Sequence, residues 1–227
     1  MQINSHQSRR KFLTALPLAT LAACENSENK KPPSVQTRKH LKWKMVTTWP
    51  KDFPGLGTGA NYLAQLISEM SNGELEIKVY GAGELVPALG VFDAVAGGTA
   101  EMGHSTAYYW KGKHEATQFF STVPFGLTAQ EINGWLQYGG GQQLWDEIYK
   151  PFGLKAFPAG NTGVQMGGWF NQEINKLEDF SGLVIRMPGL GGEVLRRLDA
   201  TVQTIPGGEI FQALKTGAID ATEWVGP

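Results

Sequence analysis

Cysteine is almost absent from this chain, which contains a single one among its 227 residues. One thiol excludes an internal disulfide framework and a zinc site built from several cysteines. Histidine is also scarce, and the four histidines are scattered along the chain. The sequence offers no Ser-His-Asp arrangement and no nucleophile elbow. These shortages count against a zinc enzyme and against a serine hydrolase.

An excess of charge of one sign is missing as well. The chain has 20 basic and 21 acidic side chains, which gives a formal net charge of -1. Such a balance provides no field that would hold nucleic acid or an anionic membrane surface. We therefore predict no nucleic-acid partner. The length and a hydrophobic content of 41% suffice for one large globular domain or two small ones.

The apolar stretch near the N-terminus is too short to span a bilayer, and it ends in small residues. This pattern predicts an export signal over residues 1–23. The pair Arg9-Arg10 before Phe12 and Leu13 resembles a twin-arginine signal, the route for proteins that are exported already folded. We therefore expect the protein to be periplasmic.

The single cysteine follows this stretch directly. The sequence LAAC resembles a bacterial lipoprotein box, in which Cys24 is the acylated first residue of the mature protein. An ordinary signal with an incidental cysteine is the alternative. Residues 24–40 are polar, charged and contain proline, as in a flexible tether. The sequence thus predicts a lipid anchor at Cys24 that ties a folded domain to the membrane.

Strand and helix patterns alternate from Leu41 onward. The segments LKWKMVTTW and ELEIKVY have the alternation of strands, and TGANYLAQLISEMSNG between them has helical spacing up to Gly73. Further strands are predicted in GLKAFPAG, GVQMGGWF, GLVIRM and AIDATEWVGP, and YYWKGK is predicted to be an aromatic loop. The alternation predicts an α/β fold with a largely parallel sheet.

Two segments look like catalytic or cofactor motifs but lack a necessary part. GLGTG at residues 55–59 precedes a helix, as a dinucleotide-binding loop does. Pro50 and Pro54 separate it from the strand, and no acidic residue ends the second strand, so no nucleotide site is predicted. HEATQ at residues 114–118 lacks the second histidine that a zinc-protease helix carries one turn later.

A permanently charged side chain, Arg186, lies at the end of the apolar segment GLVIRM. The carboxyl ends of parallel strands are where open α/β sheets bind ligands. A guanidinium group matches a carboxylate through two parallel hydrogen bonds and does not lose its proton. Arg186 therefore predicts a carboxylate-binding site. A structural ion pair, for example with Glu193 or Asp179, is an equally open alternative.

Five blocks of the sequence resemble a known family. They are GELVPALGVFDAV, EMGHSTAYYW, GVQMGGWFNQEI, GLVIRMPGLGGEVL and GGEIFQALKTGAIDATEWVGP. In this order they resemble the solute-binding subunit of a TRAP transporter, and most closely the branch that binds 2-oxo acids or lactate with a metal cation. The resemblance implies a type II periplasmic-binding-protein fold of two hinged α/β lobes, at residues 41–160 and 161–227, without catalytic activity.

The resemblance also implies roles for individual residues. Arg186 would clamp the substrate carboxylate. Gln165, Glu223 and the backbone carbonyl of Trp224 would hold a sodium or calcium ion that bridges to the ligand, and oxygen atoms suit such ions. Tyr108 or Tyr109 would close the pocket from the first lobe, and Asn161 would add a polar contact. On residue type alone, Trp224 fits a core position equally well, and Glu223 fits a surface ion pair.

Further expectations concern partners. The resemblance implies delivery of a small organic acid, such as pyruvate or lactate, to membrane permease subunits. It also implies a missing C-terminal part that completes the second lobe and supports a homodimer, so the isolated chain is expected to bind poorly and to aggregate. A periplasmic enzyme and a ligand-sensing lipoprotein remain as alternative functions.

Overall fold

The computed structural model describes residues 40–226, and strands alternate with helices throughout this part of the chain. The predicted signal, Cys24 and the tether up to residue 39 lie outside the described residues, as does Pro227. The strands are β1 (Leu41–Thr47), β2 (Leu75–Tyr80), β3 (Met102–His104), β4 (Trp169–Phe170), β5 (Val184–Arg186), β6 (Thr201–Gln203) and β7 (Ala221–Thr222).

Within residues 40–226, six α-helices and six short 3₁₀ helices lie between or beside these strands. The α-helices are α1 (Leu56–Met70), α2 (Val91–Ala96), α3 (Ala129–Tyr138), α4 (Gly141–Tyr149), α5 (Gly189–Arg196) and α6 (Ile210–Thr216). The 3₁₀ helices are Ala88–Gly90, Ala107–Trp110, Glu115–Phe120, Lys150–Phe152, Leu177–Phe180 and Gly207–Glu209.

The first sheet has the order β2-β1-β3, and all its strands are parallel. The central strand β1 becomes fully buried toward its carboxyl end, where Met45, Val46 and Thr47 lie in the core. Helix α1 connects β1 to β2 and begins after the loop that contains Pro50 and Pro54. The predicted strands LKWKMVTTW and ELEIKVY and the helix between them are confirmed.

Aromatic side chains fill the core beside this sheet. The Phe92 ring of α2 contacts Trp110, Tyr149 and Phe152, with centroids 5.0 to 5.6 Å apart. The Phe120 ring stacks on Trp145, with its centroid at 5.0 Å. These contacts fix the 3₁₀ helix Ala107–Trp110, the segment that the sequence predicted to be a loop, because Trp110 is anchored in the core.

The second sheet has the order β4-β7-β5-β6, with β5 parallel to both of its neighbours and β4 antiparallel to β7. Strand β5 places Arg186 opposite Gln203 of β6 and Thr222 of β7. The apolar side chains of β5 pack against α5 through Leu195. The prediction of a largely parallel α/β arrangement is confirmed, and it is divided between two sheets.

Two strand predictions were wrong in this region. GLKAFPAG forms no strand. In GVQMGGWF, only Trp169 and Phe170 pair with another strand. Glycines at 160, 163, 167 and 168 remove side chains that would favour a pleated strand, and Gly168 adopts φ 156°. Gln165 therefore lies in a loop rather than on the face of a strand. Strand β6, in contrast, was not predicted, because TVQ is too short to show alternation.

Residues from His40 onward form one compact unit that holds both sheets. The division into lobes at residue 160 therefore stays a prediction. No helix in residues 40–226 is long and apolar enough to cross a membrane. Several large apolar side chains are exposed, including Met70, Phe125, Tyr138 and Phe211. The expected aggregation of the isolated chain stays a prediction as well.

Candidate functional site

Arg186 is the most deeply buried charged group of the described residues, with 0% of its surface exposed. Its Nη1 donates to the backbone oxygen of Glu223 at 2.9 Å and to Oε2 of the same residue at 2.8 Å. Its Nη2 donates to the Tyr109 hydroxyl at 2.9 Å, and its Nε donates to the Ile205 carbonyl at 3.3 Å. The charge expected at the end of this strand is thus buried and surrounded by oxygen atoms.

The ion pair partner of Arg186 is Glu223, which was not among the partners named as examples from sequence. Glu193 instead pairs with Lys111 and with the following turn of α5. The Asp179 carboxylate accepts hydrogen bonds from the backbone of the preceding turn. Both carboxylates are partly exposed and have other partners, so neither is the ion-pair partner of Arg186. Glu223 reaches Arg186 because β7 runs parallel to β5, which brings their carboxyl ends together.

Burial raises the pKa of the Glu223 carboxyl group, and this effect exceeds the opposing attraction of Arg186. A group in this situation is costly to keep charged unless it has partners. Glu223 is only 9% exposed, so its carboxylate depends on the guanidinium group. Any anion that takes up Arg186 must therefore be accompanied by a new partner for Glu223.

Tyr108 and Tyr109 reach the site from the 3₁₀ helix beside the first sheet. Their rings meet edge to face at 4.7 Å. Burial raises the pKa of both hydroxyl groups, so both stay protonated at neutral pH. The Tyr109 oxygen accepts from Arg186 and still has its own proton to donate.

A cavity of about 230 Å³ adjoins these tyrosines. Its wall includes Tyr108, Met187, Gly189 and Thr204, with Lys111 among the charged groups that line it. A Cβ atom on Gly189 would lie 3.0 Å from Cβ of Tyr108, and Gly189 has φ 67°. Glycine is therefore required here for the two parts of the chain to approach each other.

Trp224 covers the guanidinium group. The Arg186 Cζ atom lies 5.2 Å from the centroid of the Trp224 ring, within the range of a cation–π contact. The Phe53 ring contacts the same indole edge to face at 5.8 Å. The Trp224 carbonyl accepts a hydrogen bond from Nε1 of Trp169 at 3.1 Å. Trp224 is thus part of the site wall and its carbonyl direction is fixed.

Gln165 and Asn161 lie in the loop that precedes β4. Gln165 Oε1 accepts from the Thr122 hydroxyl at 2.9 Å, and Asn161 is exposed and accepts from the Gly163 backbone at 2.8 Å. The structure shows no contact of either side chain with Arg186. The loop does adjoin the segment after Glu223, since Val164 O lies 3.6 Å from the Cβ position of Gly226.

The family model of the bacterial extracellular solute-binding proteins, family 7 (DctP), matches residues 45–227. The chain belongs to this family. Its members are solute-binding proteins rather than enzymes, so an extracytoplasmic location follows from membership. The fold of this family also accounts for the two largely parallel sheets described above.

A relative in Nostoc sp. (strain PCC 7120) is named as a monocarboxylate 2-oxoacid-binding periplasmic protein. The two are 48% identical over 224 residues, which is 96% of this chain and 60% of the relative. The chain thus spans well under two thirds of the length of this DctP-family relative.

Two solved structures of TRAP periplasmic solute-binding proteins resemble the chain closely. One, from Pseudoalteromonas atlantica T6c, holds sodium and pyruvate; it is 50% identical, with a TM-score of 0.81, and the match covers 83% of this chain and 57% of that one. The other, from Colwellia psychrerythraea, holds calcium and pyruvate; it is 49% identical, with a TM-score of 0.80, and the match covers 83% and 58%. DctP-family proteins this similar to the chain therefore bind a cation together with the ligand.

The oxygen atoms of this DctP-family chain fit a hard cation. Residues 40–226 contain no cluster of three or more His, Cys, Asp or Glu side chains that could hold a metal ion. A cation would depend on the Glu223 carboxylate together with amide and carbonyl oxygens. Gln165 Oε1 and the Trp224 carbonyl each accept one hydrogen bond, so each retains acceptor capacity. Sodium and calcium prefer such ligands.

His104 and Trp49 were missed as site neighbours. Trp49 follows β1 and its Nε1 donates to His104 Nδ1 at 2.8 Å. The Trp49 ring lies 6.4 Å from that of Tyr109, which in turn contacts Arg186. Their position at the carboxyl ends of β1 and β3 was a usable signal, because ligands bind at that edge of a parallel sheet.

Acid is expected to destabilise the protein through His104. Burial lowers the pKa of His104 below its ordinary value of 6.5. The folded form therefore favours the neutral ring, and its contribution to stability is present above the unfolded pKa and is lost as the pH falls. We expect His104→Asn to reduce the loss of unfolding free energy between about pH 7.5 and about pH 5. Urea denaturation at both pH values measures the unfolding free energy of the variant and of the unchanged protein.

The matched control for this measurement is His114→Asn. His114 is exposed and caps a 3₁₀ helix through its side chain, and asparagine is a good helix cap. We expect this variant to follow the pH dependence of the unchanged protein. Equal pH dependence in His104→Asn and the unchanged protein would show that His104 does not couple stability to protonation.

Proposed function

We propose that the chain is the ligand-binding part of a TRAP transporter receptor, which captures a small 2-oxo monocarboxylate such as pyruvate together with sodium or calcium. The observation that carries the proposal is the fully buried Arg186, held among Glu223, Tyr109 and Trp224. The pyruvate bound in two solved relatives supports the choice of acid.

Arg186 supplies the positive charge and the directional donors of the site. Guanidinium carries five N–H groups, of which Nε donates once and Nη1 donates twice in this structure. Within the described residues, Nη2 donates once, to Tyr109. A substrate carboxylate thus finds one N–H of Nη2 uncommitted and gains a second by replacing the Glu223 carboxylate. Two parallel charge-assisted hydrogen bonds then fix its plane.

Glu223, once released from Arg186, requires compensation in this buried place. A cation held by Glu223, Gln165 and the Trp224 carbonyl supplies that positive charge and an additional contact for a substrate oxygen. The arrangement explains in electrostatic terms why binding of the acid and binding of the cation belong together. Two carboxylates that share one guanidinium without a cation repel each other in a medium of low dielectric constant.

The cavity that adjoins the site, which Tyr109 lines and Arg186 does not, has room for a small ligand. The cavity beside Tyr108 and Tyr109 measures about 230 Å³, below the roughly 300–1,000 Å³ of pockets that take drug-sized molecules. Tyr109 has a hydroxyl proton available for a keto or hydroxyl oxygen of the substrate. Asn161, which is exposed in this structure, is proposed as a peripheral polar contact.

The setting of the receptor is part of the same proposal. Delivery of the acid to membrane permease subunits is proposed from family membership. The lipid anchor at Cys24 and the homodimer of the complete receptor stay predictions. No feature of the described residues favours the enzyme alternative or the sensing alternative over capture for transport.

Calorimetric titration of the protein tests the proposal. The ligands are pyruvate, longer 2-oxo acids and lactate, each with sodium, with calcium and without either ion. We expect pyruvate to bind with micromolar affinity or better when a cation is present. Absence of binding for every acid under every ion condition would contradict the proposed function.

A further inference from the structure

The loop between β1 and α1 contacts the segments that follow β6 and β7 in the second sheet, at one point each. The Phe53 ring meets the Trp224 ring edge to face at 5.8 Å and 82°. A Cβ atom on Gly208 would lie only 2.7 Å from Cγ of Pro50, a distance that Cβ atoms do not adopt. Only glycine therefore fits beneath the proline ring, and the two parts of the chain meet there without a side chain between them.

The loop is held firmly on its own side. Phe53 N donates to Pro50 O at 3.1 Å, and Gly57 N donates to Phe53 O at 2.8 Å. Asp52 adopts φ 59° and accepts a hydrogen bond from Asn61 of α1 at 2.7 Å. A loop tied to a helix in this way presents Pro50 and Phe53 as a preformed surface, so the contact loses little conformational entropy.

Trp224 has no room to move away from Phe53. A Cβ atom on Gly207 would lie 2.4 Å from Cη2 of the indole, and the Arg186 guanidinium lies against the ring at 5.2 Å. The indole is therefore enclosed by Phe53, Gly207 and Arg186. Phe53 and Arg186 thus contact the same indole ring.

We propose that Pro50 and Phe53 form the closing contact of the ligand site beside Arg186. Phe53 is a positioning residue that holds Trp224 over Arg186. The inference rests on the proposed function, since it concerns how the same site retains its acid. The acid docks while the loop is away from Trp224 and Gly208, and the loop then seats on them. Formation of the contact after docking slows dissociation and leaves association unchanged.

Stopped-flow kinetics of pyruvate binding, followed by tryptophan fluorescence, tests the contact. Loss of one edge-to-face aromatic pair in Phe53→Ala is expected to raise the dissociation rate constant about threefold to tenfold, with the association rate constant unchanged. We expect Gly208→Ala to raise it by at least as much, because the added methyl keeps Pro50 from seating. The double variant Pro50→Ala with Gly208→Ala restores slow dissociation, since the smaller side chain makes room.

Two matched controls accompany these variants. Gly134→Ala adds the same methyl to a helix position with open space around it, and Phe211→Ala removes an exposed ring from α6. Both are expected to dissociate at the rate of the unchanged protein. A partly unfolded variant would show a reduced binding stoichiometry rather than a faster dissociation, which separates misfolding from loss of the contact.

Solution scattering with saturating pyruvate and calcium provides the second readout, because the contact forms after docking. Gly208→Ala is expected to have a larger radius of gyration than Gly134→Ala, and the Pro50→Ala double variant to return to the smaller value. Failure of the unchanged protein to bind any acid would contradict the proposed function, whereas binding by the unchanged protein that leaves the two glycine variants alike would contradict only the contact. Unchanged dissociation in Gly208→Ala, or equal radii of the two glycine variants, would overturn the closing contact.

Discussion

Replacing Arg186 by alanine is expected to weaken pyruvate binding by about 30-fold or more, since truncation of one partner in a buried charge pair costs about 2–5 kcal/mol. Arg186 is fully buried and donates to three residues, so its removal leaves buried acceptors without a donor. Calorimetry of the protein measures the effect. Unchanged affinity would show that the carboxylate binds elsewhere.

The fold of this variant needs a control of its own, because Glu223 loses the partner that offsets its burial. Arg186→Lys keeps a positive charge beside Glu223 but lacks the planar pair of donors. We expect it to stay folded and still to bind the acid at least about tenfold more weakly than the unchanged protein. Arg197→Ala is the matched control, since it removes an exposed arginine directly after α5 that does not line the cavity.

Glu223→Gln is expected to abolish the response of acid binding to sodium and calcium. In the unchanged protein, removal of both ions should weaken pyruvate binding about tenfold to 100-fold, the usual size of coupling between two sites. Glutamine keeps the shape of the side chain but not the charge that a cation neutralises. In ion-free buffer, the variant should bind the acid at least as tightly as the unchanged protein, because the repulsion between Glu223 and the substrate carboxylate is absent.

Glu193→Gln is the comparison for this result. Glu193 is another carboxylate near the cleft, but it pairs with Lys111 and Arg196. We expect its variant to retain the full response to cations. Equal affinity of the unchanged protein in ion-containing and ion-free buffer would remove the cation from the account, whatever the behaviour of the variants.

Sequence patterns predicted the structure correctly where the local periodicity agrees with the position of the segment in the fold. The alternation in β1 and β2, the helical spacing of α1 and the position of Arg186 at the end of β5 all follow from the periods of regular structure. The resemblance to the family singled out Glu223 and Tyr109, which do meet at Arg186. Their contact with Arg186 spans 37 and 77 positions, a separation that no local pattern encodes.

The strand prediction around Gln165 was wrong because the local pattern and the tertiary pairing disagree. The segment alternates like a strand, but strand pairing is decided by a partner, and β7 offers only Ala221 and Thr222 to β4. The sequence also did not predict the edge-to-face aromatic contact or the close approach of a proline ring to a glycine. Phe53 against Trp224 and Pro50 against Gly208 depend on how the two sheets approach each other.

The most direct measurement of the central claim is a crystal structure of the protein grown with pyruvate and calcium. The account predicts the pyruvate carboxylate within hydrogen-bond distance of the Arg186 guanidinium, with the ion among oxygens of Gln165, Glu223 and Trp224. Pyruvate bound away from Arg186, with the Arg186–Glu223 ion pair still intact, would contradict it.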